Sequence, residues 1–193
     1  MTEKEKMLAG IEHDATDPQL LAELNAMKDL VWEHNQLRPS MLDERRAMIR
    51  RMLGKVGKDF LINQPFYCDY GSNIEVGDNF FSNFNFVVLD EAKVTIGDNC
   101  FIAPNVSIYT VGHPTDPVRR NKKYETAQPV TIGNNVWIGG SVTILPGITI
   151  GNNVTIGAGS VVVHNIPDNC VAVGNPCKPI KFLRFKTTLA EKF

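Results

Sequence analysis

The chain has 193 residues, and its 20 Lys and Arg nearly balance 21 Asp and Glu, for a net charge of −1. That length holds one main folded domain with a small appendage, and the charge balance excludes the one-signed footprint of a nucleic-acid binder. No stretch approaches the ~20 apolar residues of a membrane span, and no apolar core of a secretory signal follows the charged start MTEKEKMLAG, so the sequence reads as cytoplasmic, with neither membrane nor nucleic acid as partner.

Two helices are predicted first. Asp17 precedes Pro18, the favoured residue for a first helical position, and QLLAELNAMKDLVWEHNQL continues with a stripe of Leu20, Leu21, Leu24, Met27, Leu30 and Val31. A second helix is expected to open at Ser40, with Asp43 completing a capping box, and to run through MLDERRAMIRRML until Gly54 stops it. Residues 1–57 thus form a helical segment. His13 falls in the lead-in and His34 at a helix end, where a cation would favour the macrodipole, so neither reads as a catalytic base.

The periodicity then changes. From Ile132 the chain reads in sixes, IGNNVW, IGGSVT, ILPGIT, IGNNVT, IGAGSV and VVHNIP, with Ile or Val first and Val, Ile or Ser fifth. The same register appears in IGDNCF from Ile96 and IAPNVS from Ile102, and more loosely in VGDNFF from Val76. A period of six with two inward positions fits neither a helix nor a plain strand; it fits a parallel β-helix of three-sided coils, with Gly and Asn pairs at corners that often need positive φ. Residues 58–182 are assigned to this solenoid and 183–193 to a short helical or disordered tail. Cys68, Cys100, Cys170 and Cys177 form no CxxC pair and read as buried, reduced thiols.

One segment breaks the register. Between Ile108 and Ile132, Pro114, Arg120 and Thr126 occupy would-be inward positions, so residues 110–130 leave the solenoid as a polar, proline-bearing loop and return in phase. His113 lies on it, ahead of Pro114, which restricts His113 to extended backbone and so presents its ring. The basic run Arg119, Arg120, Lys122 and Lys123 reads as a solvated face.

The hexads resemble those of the hexapeptide-repeat acyltransferases. Within that superfamily MLAGIEHDATDPQLL, DYGSNIEVGDNFFSNFNFVVLD, the loop's GHP and the late VAVGNPCKPIK look like the maltose and galactoside O-acetyltransferases, nearly the whole chain through Lys181. The resemblance implies a left-handed parallel β-helix, a homotrimer with active sites between subunits, acetyl-CoA as co-substrate, and acetylation of a sugar hydroxyl, the 6-OH. His113 matches the family's catalytic histidine. Asp14, Asp69, Asn83 and Glu91 match acceptor-binding positions, with Glu91 and Asp69 standing where galactoside enzymes tend to have Asp and Ser. On the cofactor side the resemblance points to Asn83, Gly140, Ala158, Val163 and His164, and to Lys178 and Lys181 for the nucleotide phosphates. Gly140 would offer an amide to the thioester carbonyl. Trp137 fits either the active-site rim or a subunit contact.

Acetyl transfer from a thioester needs a base, an oxyanion donor and positioning, and the cysteines have no adjacent base motif, so direct transfer without an acetyl-enzyme is expected. A zinc enzyme on such a solenoid would need three histidines, whereas His113 and His164 are the two in the solenoid half, so no metal is expected. The rivals are a non-sugar acceptor and a β-helical scaffold without CoA affinity.

Overall fold

The computed structural model describes residues 1–184, so the expected tail lies, from residue 185, outside the described residues. Three helices precede the solenoid: α1 (Glu3–Leu8), α2 (Pro18–Gln36) and α3 (Leu42–Met52). α1 carries a capping box between Thr2 and Glu5. α2 begins as the sequence indicates, with the Asp17 carboxylate accepting from the amides of Gln19 and Leu20 at 2.9 and 3.2 Å. Ser40 does not cap α3. A turn closed by Met41 N–H on Arg38 O carries Ser40 outside the helix, and Met41 takes the cap position with no side-chain bond.

α3 is held instead by Arg45, a buried guanidinium that donates to the carbonyls of Pro39 and Ile62 at 2.9 and 3.0 Å. The first solenoid strand, Lys55–Val56, begins inside the stretch read as helical. His34 is fully buried rather than a solvated cation: burial pulls its pKa below the usual imidazole range, which favours the neutral ring.

The solenoid is a left-handed parallel β-helix of about six coils. One face stacks Phe66–Cys68, Phe86–Leu89, Ser107–Tyr109, Thr143–Ile144 and Val161–Val162; the second runs from Lys55–Val56 through Ile74–Val76, Val94–Ile96 and Val130–Ile132 to Thr149–Ile150. The third stacks Phe60–Ile62, Phe80–Ser82, Phe101–Ile102, Trp137–Ile138, Thr155–Ile156 and Cys170–Val173, with Lys178–Phe182 added antiparallel at the top. Both inward hexad positions are filled as the period requires: Ile132, Ile138, Ile144, Ile150 and Ile156, with Val136, Val142, Ile148 and Val154, are at most 5% exposed. Two serines also point inward: Ser160 is satisfied, donating to Gly157 O and accepting from Gly174 N–H, whereas the Ser82 hydroxyl is buried without a partner. All four cysteines are free and buried.

Each coil has three edges. At residues 76–80, 96–100, 132–136 and 150–154 the hexad pattern Gly, Asp or Asn, Asn turns the chain. Positive φ falls on the asparagines, Asn79, Asn99, Asn135 and Asn153, at 54° to 56°, a conformation Asn tolerates better than most residues. The preceding glycines answer to space instead: a Cβ on Gly133 would stand 2.8 Å from Asn152 Oδ1 and 2.9 Å from the Gly151 backbone. The acidic or amide side chain after each glycine accepts from the backbone of the coil below, Asp98 N–H to Asn134 Oδ1 and Asn134 N–H to Asn152 Oδ1 at 2.7 and 2.8 Å. The αL asparagines form a parallel ladder of Nδ2 to Oδ1 bonds, Asn135 to Asn153 and Asn153 to Asn169.

A different edge, 68–74, 88–94 and 108–130, is irregular. Coils there repeat at 20 residues, as Ile74 against Val94 shows, and shorten to 18 above it, Thr131 against Thr149. Thr95 pairs with Thr131, an offset of 36, so the break consumes one full coil length and the chain returns in phase. The expected loop is an ordered arm. Val111–Gly112 pairs antiparallel with Tyr124–Ala127, α4 (Pro117–Asn121) joins them, and His13–Asp14 adds a third strand across the arm. His13 is therefore in a strand rather than a helical lead-in. α1 steers it there, because Glu3 accepts from Asp14 N–H at 2.7 Å.

Candidate active site

The irregular edge carries the chemistry. Asp90 organises it: one carboxylate oxygen accepts from the amides of Asp69 and Tyr70 at 3.0 and 2.9 Å, and its carbonyl accepts from Asn73. The other oxygen, Oδ2, is buried with no partner, and burial pushes the Asp90 pKa up to about 7. Glu91, 8% exposed, is held well above the carboxylate range by burial and by the neighbouring Asp69 charge. Thr110 ties the next coil in, donating to Leu89 O and accepting from Ala92 N–H.

Above these acids stands the arm. His113 is half exposed, with Nδ1 3.1 Å from Tyr124 O and Nε2 3.5 Å from Glu125 Oε1. A carbonyl can only accept, so Nδ1 carries a proton, and in the neutral ring the lone pair is then on Nε2. Glu125 lies between two imidazoles, its other oxygen 3.9 Å from Nε2 of the buried His13. Burial raises its pKa while His113 and His13 lower it. His113, Glu125, Asp69, Glu91, Tyr109 and Lys123 share one cleft of about 600 Å³.

Asp14 sits at its rim. Its carboxylate accepts from the Thr16 amide and hydroxyl at 2.8 and 2.7 Å, which hold its pKa below the usual value, and Ala15 and Thr16 line the cleft. Of the residues singled out from sequence, Asp69, Glu91 and His113 therefore share the cleft, and Asp14 flanks it through Ala15 and Thr16.

Asn83 does not join them in the same chain. It lies on the third edge, in a depression with Phe81, Phe101, Pro104 and Trp137. Trp137 pairs in register with Phe101, and Phe101 with Phe81, an aromatic column in which Phe101 and Trp137 are exposed and Phe81 is half-buried. Higher on that edge Gly159 N–H donates to Gly140 O, and a Cβ on Gly139 would stand 2.6 Å from Ala158 N. Close stacking thus demands glycine at 139 rather than 140. The amides of Gly139 and Ser141 are spent on Ile156 O and Pro104 O, while that of Gly140 has no acceptor among the described residues. Val163 and the exposed His164 top the irregular edge, and Lys178 and Lys181 are exposed on the last strand.

Sequence reasoning missed Glu125 and His13. Neither lies in a hexad, and they meet only because a strand over 100 residues upstream pairs with the arm, His13 against Glu125. Among the described residues no cluster of His, Cys, Asp and Glu is arranged to hold a metal, and no helix is long and apolar enough to cross a membrane.

A left-handed β-helix of hexads bearing a histidine on an arm is the framework of the hexapeptide-repeat acyltransferases. Residues 6–57 match the family model of the maltose acetyltransferase hexapeptide capping motif, 129–164 that of the bacterial transferase hexapeptide with six repeats, and 93–110 the hexapeptide repeat of succinyl-transferase. The galactoside O-acetyltransferase of Escherichia coli K12 is 47% identical over 154 residues, 80% of this chain and 76% of that protein. A maltose O-acetyltransferase structure from Clostridium difficile 630 superposes with a TM-score of 0.94 at 51% identity, covering 96% of this chain and 99% of that one. A galactoside acetyltransferase in complex with coenzyme A superposes at 0.92 and 41% identity, covering both chains fully. The chain belongs to the galactoside and maltose O-acetyltransferase family, and it is an acetyltransferase of that type.

Proposed function

We propose that the protein transfers the acetyl group of acetyl-CoA to a sugar hydroxyl, the 6-OH, by direct attack with His113 as general base. The observation that carries this reading is the His113 ring itself: Nδ1 is committed to Tyr124 O, so Nε2 is the free base, and it opens on a cleft walled by hydrogen-bonding carboxyls. The sugar oxygen attacks the thioester carbonyl as its proton passes to Nε2. The imidazolium so formed faces Glu125 at 3.5 Å, which stabilises it, and the proton then passes to the departing thiolate.

Asp14, Asp69 and Glu91 are the acceptor contacts. The unused amide of Gly140 is the donor to the developing oxyanion. Ala158, Val163 and His164 flank the pantetheine arm, and Lys178 and Lys181 meet the nucleotide phosphates as point charges. CoA in the structure similar at 0.92 supports the co-substrate.

Asn83 and Gly140 stand on a different edge from His113, and a complete site needs both edges. A homotrimer in which one copy's third edge meets its neighbour's arm supplies them, and the column of the exposed Phe101 and Trp137 with the half-buried Phe81 is the apolar surface such a contact would cover.

CoA release across a panel of sugars, in wild type and His113→Ala, tests the reading. Sugar-dependent release that the variant loses by about 10² to 10⁴, with acetyl-CoA binding intact, is expected. Release without any acceptor, as a burst, would overturn direct transfer; CoA binding with no sugar accepted would overturn the acceptor.

A further inference from the structure

Beside the His113 cleft lies a second hollow, of about 390 Å³, between α2 and the first coil. Trp32 and Tyr67 line it, 66% and 46% exposed. Neither ring serves the core. Trp32 is off the apolar stripe by which α2 buries Leu20 and Val31, and Tyr67 is the outward residue of the strand Phe66–Cys68. The hollow is continuous with the cleft, because Lys28, Asp69 and Leu89 line both.

We propose that this hollow is a distal acceptor subsite, holding a second sugar ring linked to the one acetylated. The inference rests on the sugar O-acetylation reading. The chemistry of the walls selects the occupant: a pyranose offers an apolar C–H face to an aromatic ring and hydroxyls around its rim, and here two exposed aromatics stand with the exposed side chains of Lys28 and Gln36 and with the Asp69 carboxyl at the junction. A plain hydrocarbon would desolvate those polar groups without pairing them. Asp69 lines both the cleft that holds His113 and the hollow, so a glycosidic substituent on a ring held in the cleft enters the hollow where it leaves past Asp69.

The test compares kcat/KM for glucose with that for maltose, cellobiose and lactose in wild type, Trp32→Ala and Tyr67→Ala. At least one disaccharide is expected to lose about tenfold in each variant, with glucose within about twofold and KM for acetyl-CoA unchanged. The proposal is overturned if glucose and disaccharides fall by the same factor, if neither falls, or if glucose is a substrate and no disaccharide is. Equal falls accompanied by a changed oligomeric mass would assign the hollow to contact between copies. A wild type that acetylates glucose but ignores both substitutions loses only this subsite; one that binds acetyl-CoA yet acetylates no sugar loses the acceptor reading with it.

Discussion

Two edges of the same prism share one apolar core and treat their polar groups in opposite ways. Along 76–80, 96–100, 132–136 and 150–154 each coil spends its side-chain amides and carboxylates on the neighbouring coils, in an unbroken ladder from Asn135 through Asn153 to Asn169. Along 68–74, 88–94 and 108–130 the chain carries extra residues, and Asp90 Oδ2 and Glu91 Oε2 are buried with no partner. Buried polar groups without partners cost free energy, so the irregular edge is destabilised relative to the regular one, while Asp69 beside them faces the cleft. Repetition stabilises; departure from repetition supplies reactive and binding groups.

The largest expected effect on this contrast is on catalysis. His113→Ala lowers kcat by about 10² to 10⁴ while leaving thermal unfolding nearly unchanged, because its ring is half exposed. An equal loss of stability and activity would show that the two edges do not divide their labour.

Asp90 offers the next largest effect. Its carboxyl holds a proton up to about 7 when folded but releases it near 3.8 when unfolded, so the folded state binds more protons between those values and loses stability as pH rises through them. The loss is bounded by about 4 kcal/mol, at 1.36 kcal/mol per unit. In Asp90→Asn the side-chain oxygen can still accept from Asp69 and Tyr70, and nothing titrates. Denaturant unfolding at fixed protein concentration is therefore expected to be flatter from pH 4 to 8 than in wild type; parallel curves would refute the buried, protonated carboxyl.

Glu125→Gln keeps the shape beside His113 and removes the charge. A fall of about tenfold in kcat with unchanged KM for acetyl-CoA is expected, on the scale of one partly screened charge at 3.5 Å. Unchanged kcat would reduce Glu125 to a strut.

The smallest effect sharpens the other side. Asn153→Ala removes both ladder bonds and leaves an alanine at φ 56°, which costs about 1 to 2 kcal/mol and lowers Tm by several degrees with kcat unchanged.

Much of this was legible beforehand. The six hexads from Ile132 define the inward positions residue by residue, because each coil meets only its neighbours and the pattern repeats every 18 residues. The register break at Pro114, Arg120 and Thr126 located the arm, and His113 stood out on it. Ser40 misled, since a capping residue matters only if the turn before it presents the hydroxyl, and the turn at Arg38 to Met41 does not. His34 misled for a related reason: its place at a helix end was readable, its complete burial was not.

The sequence by itself determined the solenoid, the asparagine corners and the place where the chain leaves the coils, all of which rest on local periodicity and on residue-specific backbone preference. Only the tertiary structure decided which acids surround His113. Glu125 and His13 meet through an antiparallel pairing of Tyr124–Ala127 with a two-residue strand near the N-terminus, and Asp69 meets Glu91 through stacking of neighbouring coils. Such contacts join residues far apart in the chain, and burial, which sets the proton affinity of Asp90 and Glu91, exists only once those elements have packed.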